Sequence, residues 1–271
     1  VTNRSFLYVP GDRPDRVAKA MASSADAVIV DLEDAVKPDR KDDARAVVRA
    51  CAARTTGEVW VRVGSGDDLP RDLAAVAVPA VAELVHGVVV AKCETTAVLD
   101  QVVAALGEHV AVAALVESAR AVRRLDDLVA HPAVVQCHLG EVDLLAELGA
   151  HGDGGEELLR HVRAELVVAS VAAGRLAPIG GVHLAIDDLD ALERTSRRLA
   201  ETGFAGRAVI HPSHCDPVHA AFGPGPAEVA WARDVLDRWD AATDGAIRAA
   251  DGTMIDEAVV VRARRVLDAR R

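Results

Sequence analysis

Aromatic residues are scarce: three Phe, three Trp and one Tyr in 271 positions. So few rings argue against stacking platforms for nucleobases and against an aromatic cage for a ligand. No apolar run approaches the roughly 20 residues of a membrane span, and the chain does not open on a signal-peptide pattern. Both lead us to expect a cytoplasmic protein with no membrane partner. Positive charge is in deficit, with 31 Lys and Arg against 42 Asp and Glu and a net charge of −11. That balance argues against a nucleic-acid or anionic-membrane partner, and an anionic small molecule would need a local basic patch. Cys51, Cys93, Cys137 and Cys215 stand far apart, as expected of reduced thiols and not of a disulfide framework or zinc ribbon. No G-x-G-x-x-G follows the first strand-like run, which counts against an open dinucleotide-binding sheet.

Small apolar residues are abundant, hydrophobic residues making up 51% of the chain. Eight β-like runs recur: FLYVP (6–10), AVIVD (27–31), VWVRV (59–63), GVVVAK (87–92), VAVAALVE (110–117), VVQCHLG (134–140), APIGGVHL (177–184) and RAVIHP (207–212). Stretches such as 39–54 and 95–106 lie between them with apolar positions at helical spacing. Strands alternating with helices mean parallel βαβ units, and eight of them predict a closed (β/α)8 TIM barrel. Two more helical stretches, 226–242 and 257–270, follow an eighth strand that already completes the barrel. We therefore expect a barrel domain over 1–225 and a C-terminal helical extension and lid over 226–271, with 243–256 as the loop between its helices.

Charged residues gather where the strands stop. VIVDLEDAV (28–36) ends a β-branched run on Asp31, Glu33 and Asp34. The first strand runs into Pro10-Gly11-Asp12-Arg13, and the later ones bring Arg62, Lys92, Glu117, Glu141 with Asp143, and His211. Barrel enzymes place their chemistry on this carboxyl-terminal rim. Like-charged carboxylates repel and are costly to take out of water, so Asp31 and Glu33 are expected to face a shared site where a cation, with Arg62, offsets them. Glu117 and Asp143 have no His or Cys beside them in sequence, and an all-oxygen set suits Mg2+ or Mn2+. His211, His214, Cys215 and His219 match no zinc spacing and read better as a polar loop capping a helix. His138, among apolar neighbours, reads as a hydrogen-bonded barrel residue. Lys92 can be a salt-bridge partner for the acidic rim; a Schiff-base role would require a depressed pKa, of which the sequence gives no sign.

Motifs along the whole chain resemble the citrate lyase β-subunit-like branch of the HpcH/HpaI aldolase superfamily. They are LYVPGDRPDRVAKA (7–20), DAVIVDLEDAVKPDRKDDAR (26–45), VRV (61–63), VESARAV (116–122), GEVDLLAELG (140–149), GFAGRAVIHPS (203–213) and GTMID (252–256). The resemblance implies a Mg2+-dependent (β/α)8 lyase that cleaves or forms a 3-hydroxyacyl-CoA from a 2-oxo acid and an acyl-CoA. It implies Glu117 and Asp143 as metal ligands and Arg62 on the substrate's carboxylate and developing oxyanion. Arg13, Arg16 and Lys19, and with them Lys92, are the implied contacts to coenzyme A and substrate. Asp256 is the implied acid–base group, carried by the tail over a neighbouring subunit of a homo-oligomer, a trimer or a multiple of it. Asp31 and Glu33 would orient Arg62 and metal-bound waters.

Four positions depart from that pattern: Val142, Gly180, Ala185 and His214 stand where relatives commonly carry Glu, Asp, an acid and Gln. These departures bear on substrate identity. Aldolases of the other branch, acting on free oxo acids, carry a His where this chain has Asp34, which favours the CoA branch. A thioesterase or malate-synthase-like activity on the same site, and a non-catalytic subunit that keeps the fold, are the other readings.

Overall fold

In the computed structural model, residues 3–50, 57–242, 245–249 and 252–268 are described. Cys51, the last positions of the 39–54 stretch, parts of the 243–256 loop and the end of the 257–270 stretch lie outside them.

The strands are β1 (Ser5–Pro10), β2 (Ala27–Asp31), β3 (Glu58–Val63), β4 (Gly87–Val90), β5 (Ala111–Val116), β6 (Val134–Leu139), β7 (Ile179–Gly180) and β8 (Gly206–Val209). Each pairs in parallel with the next, and β8 closes on β1, with Ser5 opposite Arg207 and Leu7 opposite Val209. The fold is the closed eight-stranded barrel expected from the alternation of strand and helix signals. Runs such as Gly87–Val90 are buried along their whole length, as parallel strands covered on both faces must be.

β7 and β8 stop well short of the runs that predicted them. β7 keeps two residues of the expected 177–184: Pro178 has no N–H to give a ladder and the Gly180–Gly181 pair has no side chains to pack. The chain beyond emerges to solvent at Leu184, 64% exposed. β8 stops at Val209, short of the expected 212, because Pro212 opens a 3-10 turn, Pro212–His214.

The barrel interior takes alternate residues of successive strands. Phe6, Ala27, Ile29, Trp60, Val89, Ala113, Leu115 and Ala208 form one buried cluster, with Tyr8 packed against it. Large rings on β1 and β3 face Ala and Val on the others, which fills the tapering interior with few aromatics.

The chain forms one compact unit over residues 3–219 and a second made mainly of residues 220–268. In the second, the helices Pro226–Asp240 and Glu257–Asp268 enclose Ala232, Val235, Ile255, Val260 and Ala263, flanked by Trp231, Trp239 and Val266. The apolar face of the last helix, Val259, Val260, Ala263 and Val266, is thus covered inside the tail itself. Between the helices a short antiparallel pair, β9 (Ile247–Arg248) with β10 (Met254–Ile255), replaces the plain loop expected there.

Candidate active site

The period-two alternation that fills the barrel also builds the site. Continuing the inward face of β2, β3 and β5 upward from Ile29, Trp60 and Leu115 leads to Asp31, Arg62 and Glu117. Asp31 and Arg62 are register partners across the β2–β3 ladder. Their side chains form a two-point fork: Arg62 Nε and Nη2 each donate to Asp31 at 2.6 Å. Asp31 is fully buried and also accepts the amides of Glu33 (2.8 Å) and Ala35 (3.0 Å). Arg62 Nη1 reaches Glu33 at 3.3 Å, and Lys92 Nζ lies 2.6 Å from the other Glu33 oxygen and 3.6 Å from Asp34. The protein cations that offset this acidic strand end are therefore Arg62 and Lys92. Burial disfavours the Arg62 charge, but the bond to Asp31 and the surrounding anionic groups hold its pKa above the usual value. Lys92 behaves likewise: burial lowers its pKa, and Glu33 more than restores it. A raised pKa suits a salt-bridge partner and not a Schiff-base amine, which needs a depressed one.

Lys92 has φ +47°, the one left-handed non-glycine backbone among the described residues. The turn delivers its amide to Glu117 Oε1 at 2.7 Å. Strain of this kind persists only where the surroundings impose it. Glu117 is 3% exposed, and among the described residues its Oε2 takes no hydrogen bond. Burial raises its pKa to about 7; the Lys92 amide and Arg62 oppose the rise, and Asp143 and Glu33 add to it. Asp143 lies in the first turn of the helix Glu141–Leu148 after β6 rather than on a strand end, half-buried and without a hydrogen-bond partner among the described residues. A buried carboxylate with an idle oxygen, repelled by a second one, has the character of a hard-cation site that water would complete. Among the described residues no group of three or more His, Cys, Asp or Glu could hold a metal ion.

Three contributors escaped the sequence reading. Tyr8, the one tyrosine of the chain, lies with its ring centroid 5.0 Å from the Arg62 guanidinium carbon. Its place two residues after Phe6 on β1 was the available signal. Lys41 Nζ donates to the carbonyls of Leu32 (2.7 Å) and Glu33 (2.8 Å), holding the acidic turn. Gly140 leaves room for Glu117: a Cβ there would lie 2.4 Å from Glu117 Cβ and 2.8 Å from Oε2.

Other expected residues stand apart from this cluster. Arg13 and Arg16 stand at the start of the helix Pro14–Met21 and Lys19 in its last turn; all three are exposed, Arg13 pairing with Asp15 at 3.0 Å. Glu141 turns away to Arg163 at 2.8 Å. His211 caps the Pro212–His214 turn by accepting the Ser213 amide, His214 meets the Ile186 carbonyl, and His219 meets Ser5 and Asp26. His138 corrects an expectation: it is a buried barrel residue, but neither ring nitrogen has a hydrogen-bond partner. Its ring meets Phe6 edge-on at 4.9 Å, and burial lowers its pKa to about 3, so it stays neutral. Asp256 Oδ1 accepts the Val259 amide at 3.1 Å and caps the last helix.

The family model for HpcH/HpaI aldolase/citrate lyase matches residues 4–212. A citrate lyase subunit beta-like protein of Mycobacterium tuberculosis is 36% identical over 269 residues, covering 97% of this chain and 93% of that protein. A (3S)-malyl-CoA thioesterase of Cereibacter sphaeroides is 29% identical over 267 residues, with the same coverage. The crystal structure of CitE from M. tuberculosis in complex with magnesium, acetoacetate and coenzyme A superposes with a TM-score of 0.86 at 34% identity, covering 100% of this chain and 98% of that one. No helix among the described residues is long and apolar enough to cross a membrane.

Proposed function

The chain belongs to the HpcH/HpaI aldolase/citrate lyase family, and from that premise we propose that it is a Mg2+-dependent carbon–carbon lyase acting on a 3-hydroxyacyl-CoA. The reaction yields, or consumes, a 2-oxo acid and an acyl-CoA. The observation that carries this reading is the convergence of Glu117, with its raised pKa and idle oxygen, on Asp143 and the Asp31–Arg62 fork.

Glu117 and Asp143 would hold Mg2+, which supplies Lewis-acid polarisation of the oxo acid and a template for it. Asp31 fixes the Arg62 plane by occupying Nε and Nη2. The Arg62 charge, held in place by Asp31 and Glu33, would stabilise oxyanion character as the bond breaks, and a pre-oriented charge in a water-excluded site contributes several kcal/mol. Glu33 and Lys92 hold each other and set the field around Arg62. Asp256 moves the proton at the thioester α-carbon. Arg13, Arg16 and Lys19 form the local basic patch that an anionic coenzyme requires on a chain of charge −11. The barrel over 1–225 carries the reacting groups, and the extension over 226–271 is the lid that brings Asp256 to a neighbouring subunit of a homo-oligomer.

A second reading, thioester hydrolysis on the same site, is favoured by the (3S)-malyl-CoA thioesterase relative. One experiment separates the two. The protein is incubated with Mg2+ and a panel of 3-hydroxyacyl-CoA thioesters, and the products are read by mass spectrometry. Cleavage to an oxo acid and a shorter acyl-CoA is expected. Free coenzyme A with an intact hydroxy acid would instead establish the hydrolase, and efficient aldol condensation of free pyruvate with an aldehyde would move the protein to the other branch.

A further inference from the structure

A cleft of about 770 Å3 opens between the helices Gly152–Ala172 and Leu189–Thr202, on the outer side of β8. Four arginines line it: Arg160 and Arg163 from the first helix, Arg198 from the second, and Arg207 from β8. Against them stand Glu141 and Glu156, and both are bound to Arg163, at 2.8 and 2.6 Å. Arg160 and Arg198 are exposed, and among the described residues their side chains have no partner. The cleft therefore carries an excess of positive charge on a protein whose overall charge is strongly negative.

Arg207 is the informative residue. It is 4% exposed and has no ion-pair partner among the described residues. Its Nε donates to the Gly181 carbonyl at 2.8 Å, and Nη1 to Thr195 Oγ1 at 2.7 Å and Ser196 Oγ at 3.1 Å. These bonds aim the guanidinium, while Nη2 is left without an acceptor among the described residues. A buried guanidinium is normally paired with an anion. Here burial lowers its pKa to about 10, the signature of a cation whose counter-charge is short.

We infer that this cleft is a binding site for a small multivalent anion, bearing phosphate or carboxylate groups, held by Arg207 at its base and by Arg160 and Arg198 at its mouth. Guanidinium groups fit both anion types through two-point hydrogen bonding. The site lies on the helix side of the barrel wall and is independent of the lyase reading.

Isothermal titration of the full chain tests it, with pyrophosphate and citrate as probes and no Mg2+. The parent carries Arg13→Gln and Arg16→Gln, so that the exposed patch beside β1 does not capture the anion. Binding of at least one probe is expected, and the tighter of the two identifies the group the cleft prefers. Adding Arg160→Gln and Arg198→Gln, two exposed and unpaired positions whose loss leaves the fold intact, should weaken binding by about tenfold or more, since each removes a charge-assisted contact. Circular dichroism checks that the melting temperature is kept. Absence of binding by both probes, or unchanged affinity in the folded double variant, overturns the proposal.

Discussion

Arg62 and Glu117 make opposite demands on their surroundings. Arg62 is matched: its planar fork satisfies a carboxylate that has no access to water. Arg62→Lys keeps the charge but cannot fill both Asp31 oxygens in one plane. Turnover should fall by roughly 10²-fold or more with a smaller change in KM, read by steady-state kinetics on a variant that retains its circular dichroism spectrum. Glu117 is mismatched, with a pKa of about 7 in the metal-free fold against about 4.3 in an unfolded chain. The folded state binds the proton more tightly, so the stability this group contributes is full below about pH 4 and is lost as pH rises to about 7. Glu117→Gln should therefore stabilise metal-free protein at pH 8, raising its melting temperature by the equivalent of at most about 4 kcal/mol, and the difference should vanish near pH 4. The same variant should lose Mg2+ binding by calorimetry, whereas wild-type affinity for Mg2+ should drop as pH falls below about 7, since metal and proton compete.

At the scale of elements, the junction between β6 and the helix Glu141–Leu148 sets the geometry of Glu117 and Asp143, the proposed metal ligands. Gly140 passes against Glu117, and its amide bonds to the Val116 carbonyl at 2.9 Å. Gly140→Ala puts a methyl group where Glu117 Cβ and Oε2 now lie. The barrel ladder does not depend on that side chain, so we expect a folded protein with Mg2+ affinity reduced by about tenfold or more, because ligands displaced by a fraction of an ångström lose most of their contribution. Calorimetry beside a thermal melt checks it, and wild-type affinity would show that Glu117 does not need this space to bind metal.

The behaviour of the whole molecule turns on Asp256. It caps the helix Glu257–Asp268, whose apolar face is covered by the helix Pro226–Asp240. Asn is as good a cap as Asp, so Asp256→Asn should remove the proposed acid–base group while the tail stays folded. Arg62→Ala and Asp256→Asn, each inactive alone, are unfolded together and refolded as mixed oligomers. If the tail serves a neighbouring subunit, some sites combine an intact Arg62 from one chain with an intact Asp256 from another, and activity returns. Persistent inactivity after verified mixing would place both groups in one chain's site.

The number and order of strands, the rim position of Asp31, Arg62 and Glu117, and the two tail helices were legible in the chain alone. They follow from local rules: side-chain period, β-branched runs and the chirality of parallel crossovers. The truncation of β7 was also foreshadowed by Pro178 and Gly180–Gly181, although its apolar residues read as a longer strand. What the chain alone could not decide are the relations between distant segments. Lys92 as the partner of Glu33, Tyr8 against Arg62, Gly140 making room for Glu117 and the unmatched Arg207 all depend on register and barrel closure. His138 failed as a prediction for the same reason: polarity in a sequence implies a partner, but only packing determines whether one is within reach. Electrostatics and close contact are set by distances in space, and those exist only once the barrel has closed.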